Sequence, residues 1–155
     1  MHIAPSGRFV FVAQWILALL LPLFVVIGRG LVGSPLGWMM VIGIWFGLFG
    51  IVALYVPPVL TLFDREVRAA KATRVVYSAA TWVLWVALVV FALTLVDGGD
   101  DGEPGSALTV WTGDAVSDDA SNLIALIAAL VGFVALVAAL AFAIAGIIRG
   151  RRQTR

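Results

Sequence analysis

No cysteine occurs in the chain, and its single histidine is His2, beside the N-terminus. Disulfides, thiol chemistry and iron–sulfur clusters are thereby excluded. Haem ligation by histidine within a membrane has no residue to perform it, and no zinc-ligand spacing exists. Charge is scarce as well. Only 12% of the 155 residues are Asp, Glu, Lys or Arg, against about 25% in a soluble domain. Four long stretches hold none of them, and no histidine either. Buried ionisable groups mark proton relays, ion paths and membrane hydrolases, so their absence argues against a pump, a proton-coupled transporter or an enzyme. No nucleophile–base pair can be assembled, and a non-catalytic protein is expected. A channel built on backbone carbonyls or hydroxyls stays open as a reading. Basic residues are few and sit at the edges of the apolar runs, which disfavours nucleic acid as a partner.

What is present is apolar: 63% of the residues are hydrophobic, where about 45–50% is usual. A bilayer core of roughly 30 Å needs about 20 apolar residues of helix. Four runs meet that length: 9–28, 37–56 (apolar on to Phe63), 75–96 and 123–148. The first is longer than the apolar core of a signal peptide, and no small-x-small cleavage site follows it, so an uncleaved span is expected. The fold expected is therefore all-α: one integral membrane domain, residues 1–155, built as a four-helix transmembrane bundle. Residues 97–122 form an acidic loop between the third and fourth helices. Consecutive helices would be antiparallel, and the two shorter connections make the first and second helices, and the second and third, the expected neighbours.

The distribution of charge sets the expected orientation. Arg8, the group Arg65, Arg68, Lys71 and Arg74, and the group Arg149, Arg151, Arg152 and Arg155 fall on one face. Arg29 alone falls on the other. The positive-inside rule places both termini in the cytoplasm and the acidic loop outside. Helix electrostatics agree, with Asp118 and Asp119 before the last run and arginines after it. The Ala-, Val- and Arg-rich style is that of high-GC bacteria, and a multi-pass position in the cell membrane is expected. The basic groups at 65, 68, 71, 74, 149, 151 and 152 are candidates for contact with anionic lipid, about 1 kcal/mol each.

Three local patterns stand out. In the fourth run, Ala125, Ala128, Gly132, Ala135, Ala139 and Gly146 step by three and four, a small-residue seam for close helix packing. Its partner, whether the first or third run or another subunit, is open. In the second run, Gly43 and Gly47 form a GxxxG, for which packing within the chain is the plainer reading. The polar residues Gln14, Ser78 and Thr81, with Tyr77 beside them, fall at a similar depth and read as an interhelical hydrogen-bonding cluster. Gln14 is expected at the contact of the first and third helices.

The connections carry weaker signals. Pro22 should bend the first helix, and Gly28, Arg29, Gly30 and Gly33 should end it. Ser34–Pro35 reads as the start of the second helix, and Pro57–Pro58 as a kink or break near its far end. Residues 59–74 read either as an interfacial helix or as a continuation of the second helix. The stretch after Val96, DGGDDGEPGS, reads as disordered or turn-rich. ALTVWTG at 107–113 is β-prone, with Trp111 placed to dip into the interface. Asp97, Asp100, Asp101 and Glu103 lack the spacing of an EF-hand loop, so a solvated loop is expected and no cofactor or metal.

The four-run layout resembles the small multidrug transporters, which place an essential carboxylate in the first span where this chain has Gln14. The long loop before the last span is similar to that of tetraspanins, whose loop depends on cysteines. The Pro57-to-Trp85 region is similar to the copper-resistance membrane family but lacks its histidines. None of the three assigns a family. The expectation is an accessory, assembly or scaffold subunit acting through helix–helix contacts, with the lipid bilayer and a membrane-protein partner or a second copy as its partners. The alternative is a small oligomeric transporter or channel for an apolar or neutral solute, using Gln14, Ser78, Thr81 and the nearby tryptophans.

Overall fold

A computed structural model describes residues 3–98 and 104–152. Their regular structure is helical: α1 (Gly7–Val26), a 3-10 turn (Gly28–Val32), α2 (Trp38–Thr61), α3 (Arg65–Ala70), α4 (Val75–Thr94), α5 (Ala107–Thr112) and α6 (Asp118–Arg152). Four of them, α1, α2, α4 and α6, are long and apolar enough to cross a membrane. At about 1.5 Å per residue, the 20 residues of α1 or α4 span about 30 Å, one hydrocarbon thickness.

The four long helices close a ring: α4 lies against α1 and α6, and α2 lies against the same two. The first and second spans are neighbours as expected, but the second and third stand diagonally, because the connection of residues 62–74, which holds α3, is long enough to cross the end of the bundle. Two ends of the bundle can be told apart by contact. At one, Ala4 N–H donates to Thr73 at 3.1 Å, and α3 packs on α6. At the other, Arg29 meets Asp97 and Trp111 reaches Val32.

The small-residue face of α6 is fully used inside the chain. Ala125, Ala128, Gly132, Ala135, Ala139 and Gly146 are all buried. At Gly132 a side chain would lie 3.5 Å from the Ala87 methyl of α4, so the seam meets the third span. The GxxxG of α2 is likewise internal: Gly43 and Gly47 lie against Val26 of α1.

Several connections differ from the sequence reading, each for a local reason. Pro57 and Pro58 do not end α2. The helix runs on to Thr61, whose hydroxyl donates to the Pro58 carbonyl at 2.7 Å. It stops at Leu62–Asp64, and α3 is a separate helix because the Asp64 side chain accepts from the N–H groups of Glu66 and Val67. Of the glycines expected to end the first span, Gly33 (φ 90°) is the left-handed one, and it closes the 3-10 turn. ALTVWTG is helical, not extended. Ser106 and Thr109 form a reciprocal capping box at its start, and Gly113 (φ 57°) ends it. Local hydrogen bonding thus overrides the β-propensity of the segment.

Candidate functional site

The buried polar groups form three levels along the bundle: an ionic clasp at each end and a hydrogen-bonded cluster between them. The clasp at the Arg29 end starts from a helix without a cap of its own. Gly37 precedes α2 and provides no side-chain acceptor. Asp97, sixty residues on in sequence, supplies one: its carboxylate accepts from Gly37 N–H at 2.9 Å and Met39 N–H at 3.0 Å. Arg29 completes the group by pairing with Asp97 and donating to the Leu95 carbonyl at 3.0 Å. Both side chains are 1% exposed. Burial pushes the Asp97 carboxyl up, but the Gly37 and Met39 N–H groups and the Arg29 charge outweigh it, and Asp97 sits below the usual carboxylate range. Asp97 N–H and C=O also pair with Gly105, each bond 2.9 Å, which closes the loop whose other carboxylates, Asp100, Asp101 and Glu103, lie outside the described residues. The first residue of that loop is therefore not a solvated carboxylate but the cap of α2. Ser34, the expected cap, instead bonds the Pro35 carbonyl.

The opposite clasp joins Asp64, Arg74 and Glu66. Arg74 Nε donates to Asp64 at 2.8 Å, and its terminal nitrogen lies 2.8 Å from Glu66. Hydrogen bonding to Asp64 raises the Arg74 guanidinium further above its ordinary value. This corrects the placing of Arg74 among lipid-contacting residues. It is buried (6% exposed) because Thr73 and Tyr77 beside it are core residues and turn it inward. Gly146 permits the clasp: any side chain there would begin 2.5 Å from the Asp64 carboxylate. The other basic groups, Arg65, Arg68, Lys71 and Arg149, are exposed; the side chains of Arg151 and Arg152 lie outside the described residues.

Between the clasps, Tyr77 of α4 donates to Gln14 Oε1 of α1 at 2.8 Å, and Gln14 donates to its own Phe11 carbonyl at 3.2 Å. Gln14 stands at the contact of the first and third spans. Ser78 and Thr81 are buried on the same side of α4: Ser78 stands apart, meeting the Thr73 hydroxyl at 2.7 Å, whereas Thr81 donates to the Tyr77 carbonyl at 2.9 Å and lines one small cavity with Gln14 and Tyr77. The cavity beside them measures about 10 Å³, room for about one water. Trp82 stacks on Phe9 at the surface between α1 and α4, while Trp85 is buried in the core and meets both rings edge-on.

Sequence reasoning missed the Arg29–Asp97 pair. The available signal was that Arg29 is the lone basic residue on its face and directly follows the apolar run 9–28, just as Asp97 directly follows the run 75–96. Among the described residues no group of three or more His, Cys, Asp or Glu is placed to hold a metal. No protein-family model, curated protein or solved structure matches the chain.

Proposed function

We propose that the chain is a non-catalytic multi-pass protein of the cell membrane, with both termini in the cytoplasm, that serves as an accessory, assembly or scaffold subunit. The observation that carries this reading is the packing of α2. Its glycine edge, Gly43, Gly47 and Gly50, faces α1. The rest is open: Trp45, Phe46 and Phe49 are 69%, 70% and 74% exposed. Aromatic side chains offer large, stiff contact area in helix–helix association, where dispersion and close fit replace the hydrophobic drive. The small-residue seam of α6 is already occupied by α4, so α2 presents the face left for a partner. The closed polar cluster at Gln14 supports this reading over a transporter or channel for a neutral solute, which would need that region to admit solute.

Orientation rests on charge. Nine of the ten Lys and Arg residues belong to the end that carries the termini. A reporter fused to the C-terminus should be active only in the cytoplasm. Mild-detergent pull-down with mass spectrometry should recover a stoichiometric membrane partner or a second copy. The W45A/F49A double variant should release it without losing thermal stability. Recovery of the monomer alone from a mild detergent, together with solute flux in proteoliposomes, would overturn the proposal.

A further inference from the structure

A cavity of about 420 Å³ lies between α2 and the other three long helices, within the size range of small-molecule sites. It is a slot. Arg29, Met39 and Leu95 line one end, and Ala53, Leu54 and Leu136 the other. Met39 and Ala53 are about 14 residues apart on α2, so the slot runs about 21 Å along the helix. That length fits an extended acyl chain better than a compact solute. Phe46 and Phe133 line it and are 70% and 66% exposed, so the slot opens sideways between α2 and α6, where a bilayer would lie.

Arg29 is the only lining residue with a polar side chain among those described. Its charge is already matched by Asp97, and one terminal nitrogen serves Leu95. Its Nε–H is different: buried, and without a hydrogen-bond partner among the described residues. Buried donors in native proteins nearly always have an acceptor. An acceptor for this one should be neutral, since a second anion would leave the site with excess negative charge. α1 ends at Val26 after about 30 Å of helix, so Arg29 lies at the level where the hydrocarbon core gives way to the headgroup region. The ester carbonyls of membrane lipids occupy that level.

We propose that this slot binds one long-chain ester-linked membrane lipid. The acyl chain lies along α2, and an ester carbonyl oxygen accepts from Arg29 Nε–H. The inference needs the bilayer location of the bundle but no protein partner, so it stands or falls separately from the accessory role.

Native mass spectrometry tests it. The protein released from a mild detergent should retain one lipid per chain. After delipidation it should rebind a diacyl phospholipid about tenfold more tightly than the dialkyl ether analogue, which has the same chains and no carbonyl. Ala129 of α6 is exposed and lines the slot, so Ala129→Leu and Ala129→Phe fill it in two sizes without entering a helix–helix contact. Both variants should keep their melting temperature, and Ala129→Phe should lose retention at least about tenfold. Wild-type protein that carries detergent only, or filled variants that retain lipid as well as wild type, would overturn the slot. Equal affinity for ester and ether lipids would overturn the pairing with Arg29. A lipid-free dimer that the filled variants cannot form would assign the slot to a second copy and overturn the lipid.

Discussion

Gly132 and Gly146 occupy the same face of α6, yet alanine should have opposite effects at the two. In a helix interior, Gly→Ala gains about 0.8–1.0 kcal/mol from backbone entropy and shielding. That gain is common to both sites and cancels in their difference, including whatever part is lost because helices persist in the denatured state of a membrane protein. The surroundings are not common. At Gly132 the new methyl meets Ala87 at 3.5 Å, an ordinary contact, so Gly132→Ala should be neutral or stabilising by up to about 1 kcal/mol. At Gly146 it begins 2.5 Å from Asp64 Oδ2 and 3.5 Å from Arg74 Nε. Either α6 or the carboxylate must give way. Overpacking of this kind costs about 1–3 kcal/mol. If the carboxylate is driven off Arg74, the cost moves toward the about 3–5 kcal/mol of a broken buried pair. Gly146→Ala should therefore be less stable than Gly132→Ala by at least about 1–3 kcal/mol. Equilibrium unfolding in mixed micelles, followed by tryptophan fluorescence, measures the difference directly. Two variants of equal stability would refute the clasp at Asp64 as a packed, close-fitting group.

The level between the clasps makes a smaller claim. Tyr77→Phe removes the donor to Gln14 and should cost about 0.6–1.7 kcal/mol, the range for such contacts in membranes; a double-mutant cycle with Gln14→Leu should return most of that as coupling, and zero coupling would sink the assignment. Acid should unfold the protein through its carboxylates. Burial raises the Asp97 and Asp64 carboxyls, but their N–H and arginine partners outweigh it, so both lie below their unfolded value. Their stabilisation is complete above the unfolded pKa of about 3.9 and is lost as pH falls through the lower folded values. The melting temperature should hold steady from neutral pH down to about 5 and fall below about 4. Asp97→Asn should flatten that acid limb while costing about 3–5 kcal/mol at neutral pH, because Arg29 is left buried without its counter-charge. A melting temperature that rises on acidification would contradict the clasp.

Much of this molecule was legible in the sequence because a bilayer imposes one-dimensional rules. Span length, the absence of charge within the spans and the gathering of Lys and Arg at one end need no knowledge of neighbours. The helices at 7–26, 38–61, 75–94 and 118–152 follow from those rules to within a few residues, except at the start of the last one. There Asp118–Asn122 is polar yet helical, since Ser121 donates to the Thr94 carbonyl at 2.8 Å and meets Ser106 at 2.8 Å. Small residues at steps of three and four likewise announced a packing face on α6, because that spacing is a property of one helix.

What the sequence left open was every question of partnership between distant segments. The α6 seam could have served α1, α4 or another subunit; its meeting with Ala87 and Leu84 is a fact of the assembled bundle. Arg74 belongs by sequence to a basic run at a membrane edge, and only the approach of Asp64 and Gly146 makes it an interior group. Asp97 begins an acidic, glycine-rich stretch that by itself is solvated, yet it caps a helix whose first residue lies about sixty positions earlier. Local composition prices each residue against water or lipid. The tertiary structure sets the price against the partner that folding brings within 3 Å, and for a buried charge or an uncapped helix end that partner decides the outcome.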